Sequence, residues 1–329
     1  LWAAIMAFVV FAYVVLDGFD LGIGLLFPFI KNEQDKSNAM NSIAPFWDGN
    51  ETWLVLGGGG LYATFPLAFA IIMPALYAPL IVMLLALIFR GVAFEFRWRA
   101  ETDKGKARWD LGFSLGSLLV ALSQGIALGA LVQGIEVDGR AYAGGWWDWL
   151  SPFSITTGFA LVIGYSLLGA CWLIYKTEGG LQRFCQSVAF KLVIAMGFMV
   201  LIISIWMLFK QNPYMKRWFT YPNYLYLSPV PIVTIAVGLY LLRSIKLGKE
   251  LAPFLSTIVL FGLCYFGLCI SFYPQIVPPN ISIWQAASPD SSLKFLLVGA
   301  ALLIPIIIAY SAYSYWVFRG KVNSEDQYH

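Results

Sequence analysis

From Thr52 to Phe89 the chain carries no charged side chain at all. A run of that length has no polar face to turn toward water, so its natural solvent is lipid. The rest of the chain agrees. Hydrophobic residues make up 60% and charged residues only 12%, against roughly 25% charged in soluble domains. Charge this sparse cannot cover a water-exposed surface, which makes this an integral membrane protein. The formal net charge of +3 then bears on orientation rather than on a nucleic-acid partner.

A membrane-crossing helix needs ~20 mostly apolar residues. By that measure the chain is all-α with nine transmembrane helices, at about 2–30, 51–72, 75–96, 110–133, 152–175, 187–209, 227–242, 251–273 and 292–318. The second and third read as a hairpin turned at Pro74 and Pro79. The connection 134–151 contains GGWWDW, and the Pro-rich PQIVPPNISIWQAASPD precedes the ninth span. The first apolar segment runs on without an Ala-x-Ala site, so it reads as a span and not as a cleavable signal. The missing initiator Met suggests that a few residues precede Leu1. No internal repeat emerges.

Lys and Arg in the connections set orientation. Connections after odd-numbered spans hold 15 of them and those after even-numbered spans hold 5. The N-terminus is therefore expected outside and the C-terminal tail in the cytoplasm.

Polar groups concentrate near the start of the chain. The stretch 41–60, NSIAPFWDGNETWLVLGGGG, places Asp48, Asn50 and Glu51 with Trp47 and Trp53 at the edge of the uncharged run. A carboxylate there is costly and points to function, with Asp48 as the first candidate. Its bland alternative is a helix cap or a partner for a nearby Lys. Asp17 and Asp20 are three apart and share one face of the first helix. Asp17 lies about 20 Å from the inner end of that helix at ~1.5 Å per residue. If the second helix starts as early as Ser37 or Asn38 and kinks at Pro45, Asp48 lies about 15 Å in. Asp17 and Asp48 are then expected to approach each other. Arg90 should be paired with a buried acid or a partner's anion. Glu95 sits nearer the basic stretch 97–108 and has a plain salt-bridge reading beside a functional one.

The glycines Gly57, Gly58, Gly59 and Gly60 disfavour a helix by roughly 1 kcal/mol each. Close approach of another helix, a ring or a lipid tail explains them. Gly18 with Gly22, Gly112 with Gly116, and Gly125 with Gly129 have the small-xxx-small spacing of tight helix pairs. Cys171, Cys185, Cys264 and Cys269 show no metal spacing and read as core residues. The one histidine, His329, ends a polar tail. Haem normally takes His, Met or Cys ligands, so any haem here is expected to be held mostly by another chain. No Rossmann or phosphate-loop motif is present.

VLDGFDLGIG at 15–24, the stretch 41–60 quoted above, and FRGVAFEFRWR at 89–99 together resemble subunit II of the cytochrome bd-type quinol oxidases. The GNETWLVLGGGG form is similar to the cyanide-insensitive branch. The resemblance implies a single membrane domain of two four-helix bundles, 1–133 and 152–273, plus a peripheral helix at 292–318. It implies a heterodimer with a subunit I that carries two haem b, one haem d and the quinol site, in a bacterial inner membrane. A small single-helix subunit, lipid and quinone are further candidate partners. The complex oxidises quinol and reduces O₂ to water, generating proton motive force without pumping. The Trp-Asp-Gly-Asn acid, here Asp48, is implied in a cytoplasmic proton path, with Asp17 and Asp20 as the other candidates and Glu95 beside them. Trp47, Trp53, Gly57–Gly60 and Arg90 are then packing or partner-contact residues.

Two other classes fit the residues. A proton- or ion-coupled transporter also uses intramembrane acids and glycine-broken helices, though inverted repeats are missing. A scaffold that only stabilises its partner needs no chemistry of its own.

Overall fold

The computed structural model describes residues 1–209 and 213–322. Lys210 and His329 lie outside the described residues. The chain folds into α1 (Trp2–Leu26), α2 (Glu33–Asn41), α3 (Trp47–Thr64), α4 (Pro66–Ala75), α5 (Tyr77–Trp98), α6 (Asp103–Gln133) and α7 (Pro152–Lys176). It continues through α8 (Gly179–Phe209), α9 (Pro213–Phe219), α10 (Asn223–Leu227), α11 (Pro229–Lys246), α12 (Leu251–Phe272), α13 (Ile283–Ala286) and α14 (Asp290–Val317). Two small antiparallel hairpins sit in connections: β1 (Val137–Asp138) with β2 (Ala141–Tyr142), and β3 (Gln275–Val277) with β4 (Ile281–Ser282).

Eight helical segments among the described residues are long and apolar enough to cross a membrane: α1, α5, α6, α7, α8, α10 with α11, α12 and α14. Local chemistry sets their ends. Thr102 caps α6 by accepting from the Gly105 amide, and Gly134 ends it with φ +97°, a conformation that favours glycine. Ser151 and Ser154 form a reciprocal capping box ahead of α7, with Pro152 at its first position.

The expected second span needs correction. Its helix starts at Trp47 and stops at Thr64, and α4 follows as a separate ten-residue helix. The break is at Phe65 (φ −134°, ψ 62°), directly before Pro66. Proline biases the residue before it away from helical backbone, a signal that hydropathy does not carry. The expected turn at Pro74 is likewise absent, since Pro74 lies inside α4 and the chain bends at Leu76. Nor does a helix start at Ser37 or Asn38; α2 is capped by Asn32, whose side chain accepts from the Gln34 amide.

Hydrogen bonds gather the helix ends into two sets. At one end lie α2, the C-termini of α5, α7 and α14, and the N-termini of α6 and α12, joined by Lys36–Asp110, Arg97–Glu33, Lys321–Glu250 and the Val322 amide to the Lys176 carbonyl. This is the charged end. At the other, the Trp2 indole donates to the Leu293 carbonyl, the Ser288 amide to the Thr64 carbonyl, and the Ile135 amide to the Pro278 carbonyl. Thus α3 starts beside α2 and ends at the opposite set, while α4 packs against the hairpin residues there.

At the centre, α1 packs against α3, α6 and α7. The α1–α7 seam is so close that a Cβ on Gly22 would overlap the Tyr165 carbonyl, and Gly169 faces Gly22 across it. By contrast, α8, α11 and α14 bury almost nothing within this chain.

Candidate functional site

The α1–α3–α5 junction buries a charged cluster. Asp17 and Asp20 are 1% and 0% exposed and Arg90 is 1% exposed. Because Asp17 and Asp20 are three residues apart, both point from α1 toward the α5 guanidinium. Arg90 Nη1 donates to Asp17 Oδ1 at 3.0 Å, and Arg90 Nη2 lies 4.0 Å from Asp20 Oδ2. From α3, Glu51 Oε2 comes to 3.9 Å from Arg90 Nη1. Asn50 Nδ2 donates to Asp20 Oδ2 at 2.8 Å and to the Leu16 carbonyl at 3.2 Å.

Two arms extend from this centre. On one side the Tyr315 hydroxyl of α14 donates to Asn50 Oδ1 at 2.8 Å, its ring stacked on Phe46 at 4.4 Å. On the other, Tyr13 sits beside Asp17; Gln124 Nε2 donates to the Tyr13 hydroxyl and Tyr165 donates to Gln124 Oε1, both at 2.6 Å. The polar chain therefore runs from α14 through α3, α1, α5 and α6 to α7.

The centre is not saturated. Asp17 Oδ2, Asp20 Oδ1, Arg90 Nε and Arg90 Nη2 are buried without a hydrogen-bond partner among the described residues. One guanidinium faces two sealed carboxylates. Buried groups of this kind are normally paired or bridged by water, and unbalanced charge is expensive in such a setting. The arrangement suits a group that takes up and releases a proton.

Asp48 lies elsewhere. It is in the first turn of α3 and its side chain is exposed, in a stripe with Thr52, Val55, Gly59 and Tyr62. The expected approach of Asp48 to Asp17 is not made within this chain; Glu51 and Asn50, on the next turn, reach the cluster instead. The reason is packing: α3 turns its Asn50 side toward α1, which leaves Asp48 on the exposed side. Glu95 is also exposed and forms no ion pair among the described residues. The nearby basic side chain Arg97 instead binds Asp110 at 2.5 Å and Glu33 at 3.0 Å.

Trp47 packs on Phe94 of α5 at 5.3 Å, and Trp53 is buried edge-on to Phe8 of α1 at 5.8 Å. Gly60 lies under Met6, where an added Cβ would meet Sδ at 2.8 Å, and Gly57 lies near Val9. Gly58 and Gly59 face open space. Sequence reasoning put Asp17 and Asp20 on one face and expected a buried acid or a partner's anion for Arg90 without naming which acid. The structure supplies Asp17 and Asp20, and Asn50, Tyr315, Tyr13 and Gln124 were missed. Only Asn50 carried a signal, as an amide inside the polar stretch.

Three of the sulfur side chains are closed off from any haem. Cys171 and Cys185 are sealed in the core, and Cys171 Sγ lies 3.4 Å from the Thr257 hydroxyl. Met40 is fully buried against apolar neighbours. Among the described residues no group of three or more His, Cys, Asp or Glu side chains is placed to hold a metal ion.

The sequence profile of the family described as cytochrome bd terminal oxidase subunit II matches residues 1–318. The chain is 27% identical to the cytochrome bd-I ubiquinol oxidase subunit 2 of Escherichia coli (strain K12), covering 99% of this chain and 95% of that one. It is 28% identical to the cytochrome bd ubiquinol oxidase subunit 2 of Bacillus subtilis (strain 168), covering 99% and 97%. In fold it is similar to a chain of the bd oxidase from Geobacillus thermodenitrificans, with TM-score 0.75, 16% identity and coverage of 96% and 97%.

Proposed function

The chain belongs to the cytochrome bd terminal oxidase subunit II family, and from that premise we propose that its buried Asp17–Asp20–Arg90 cluster handles protons for oxygen reduction carried out in the partner subunit. The protein is a component of a quinol oxidase and a multi-pass protein of the bacterial inner membrane, working with a subunit I. Family membership sets the transporter alternative aside.

Haem b and haem d in subunit I supply the electron transfer from quinol to O₂. This chain supplies none of the iron ligands. Its own residues hold protons. The observation that carries the reading is the charge imbalance: one guanidinium for two sealed carboxylates, with free buried oxygens. One shared proton brings the trio to neutrality. Water can bridge the free atoms, so the proton has somewhere to go. Asp48 and Glu95 are the surface acids of the path, on the α3 and α5 stretches that lead from the charged end. The scaffold reading lacks an account of why two acids are kept in the middle of a lipid-embedded bundle.

The remaining features follow the same scheme. The charged end is cytoplasmic, and α3, running from one end set to the other, is the ninth crossing. At ~1.5 Å per residue its 18 residues span about 27 Å. Helices α1, α3, α5 and α6 form one bundle and α7, α8, α11 and α12 the other, with α14 peripheral. The open Gly58–Gly59 face of α3 meets the partner subunit, a quinone or lipid. The GNETWLVLGGGG form supports the cyanide-insensitive branch.

The test is Asp20→Asn in the assembled oxidase. Quinol-driven oxygen consumption should fall at least tenfold with haem absorbance unchanged. Wild-type turnover would remove the cluster from the mechanism.

A further inference from the structure

We propose that Glu51 is the relay through which protons enter the buried pair, and that Asp48 reaches that pair only by way of Glu51. The inference rests on the proton-handling reading above and deepens it.

Three observations place Glu51 in this position. First, of the three carboxylates around Arg90 it alone reaches the surface of the chain: its side chain is 27% exposed, against 1% for Asp17 and 0% for Asp20. Second, its bond to the cluster is loose. Glu51 Oε2 is 3.9 Å from Arg90 Nη1, whereas Asp17 Oδ1 holds the same nitrogen at 3.0 Å. At that distance Glu51 makes no hydrogen bond to the guanidinium, so it can turn between the cluster and the outside more readily than Asp17, which is hydrogen-bonded to it. Third, Asp48 precedes Glu51 by three residues on α3. Side chains at that spacing are neighbours on a helix, with about 5–6 Å between Cβ atoms. Asp48 is exposed and makes no ion pair among the described residues.

The charged groups that face Glu51 are Asp17, Arg90 and Asp48, with Asp20 behind them. Of the other acids at the charged end, Asp110 and Glu33 bind Arg97 and Lys36, Glu250 and Glu178 bind Lys321, and none of the rest, Glu95 included, forms an ion pair with Arg90 among the described residues. Glu51 is therefore the acid through which the surface and the sealed pair communicate.

The step moves one proton and no electrons. A water-borne proton, collected at Asp48, binds a Glu51 carboxylate oxygen. Glu51 then gives a proton to the Asp17–Asp20 pair, directly or through water at Asp17 Oδ2 or Asp20 Oδ1, and returns to its anionic form. Arg90 stays protonated throughout and limits the charge the site carries in either state.

The experiment uses the assembled oxidase in liposomes with a pH-indicating dye, comparing wild type with Glu51→Gln, Glu51→Asp, Asp48→Asn and Asp20→Asn. Expected for Glu51→Gln is a tenfold or greater loss of turnover and of proton uptake, with haem absorbance unchanged. Glu51→Asp should recover a third or more of the rate with a displaced pH profile, a change that a purely structural role would not produce. Asp48→Asn should be milder than Glu51→Gln. Wild-type rate and pH profile in Glu51→Gln, with Asp20→Asn slow, overturns the relay and leaves the buried site standing. Wild-type behaviour in both overturns the proton-handling reading itself. If Glu51→Gln fails to assemble, Glu51→Asp decides: slowed uptake with intact haem supports the relay, and wild-type uptake across the pH range overturns it.

Discussion

Arg90 holds the site together, and its loss should show first in stability. It is fully buried, contacts acids from α1 and α3, and sits on α5. Removing one partner of a buried ion pair typically costs about 3–5 kcal/mol, because the other charge is left uncompensated. Here two carboxylates would be stranded. We expect Arg90→Leu to lower the thermal midpoint of the purified complex and cut its yield. The double variant Arg90→Leu with Asp17→Asn should recover part of the loss. Equal loss in single and double variants would mean that the guanidinium acts by shape rather than charge. At this scale the sequence was readable where spacing alone decided the matter. Asp17 and Asp20 share a face for any helix, and an arginine inside an apolar run must find an acid. Asn50, Glu51 and Tyr315 were not readable, because their placement depends on which side of α3 packs on α1 and on which helix α14 meets.

The helices differ in what their sequences disclose. Spans with clean apolar runs, such as α6, α7 and α12, end within a few residues of where hydropathy puts them, apart from the amphipathic first turns of α6. The α3–α4 break was hidden because Phe65 and Pro66 are as apolar as their neighbours. The last helix is the clearest case of tertiary placement. None of α14 is buried by residue, yet it is fixed at its charged end. Lys176 Nζ donates to the Phe318 and Gly320 carbonyls, and Lys321 binds Glu250 at 2.6 Å and Glu178 at 3.2 Å. The hydrogen bond that Lys321 donates to Glu250 holds the Glu250 carboxyl below its usual range and raises Lys321 above its own. A lowered acid contributes stability above its ordinary value near ~4.3 and loses it as pH falls through the folded value. A raised lysine contributes below its ordinary value of ~10.4 and loses it only as pH rises past that. Glu250 is exposed and Lys321 partly so, so the pair is worth at most about 1 kcal/mol. A spin label at Val322 should therefore become more mobile as pH drops from 6 to below 4. Glu250→Gln should show the more mobile spectrum already at pH 6. An unchanged spectrum in that variant would assign the clamp to Lys176 alone.

For the molecule as a whole, the open face of α3 matters most. Gly58 and Gly59 meet nothing within this chain, whereas Gly60 is pressed by Met6. Replacing an unneeded helix glycine should strengthen α3 by up to about 1 kcal/mol. Gly59→Leu should thus leave the chain itself well folded. If the partner subunit closes on that face, Gly59→Leu should lower co-purifying haem several-fold, while helical content by circular dichroism holds. Full haem occupancy would place the interface on another face.

The distance along the chain between the members of the cluster has a consequence for biogenesis. Asp17 and Arg90 are 73 residues apart, and Asn50 and Tyr315 are 265 apart. During synthesis α1 arrives at the translocon with two acids and no counter-ion. Each aspartate penalises insertion by about 2.5–3.5 kcal/mol near mid-bilayer. The growing polypeptide must either carry those acids protonated or linger at the insertion machinery until α5 emerges. Polypeptides released before α14 is made would leave the amide of Asn50 without its phenol, a defect that membrane proteases are placed to recognise.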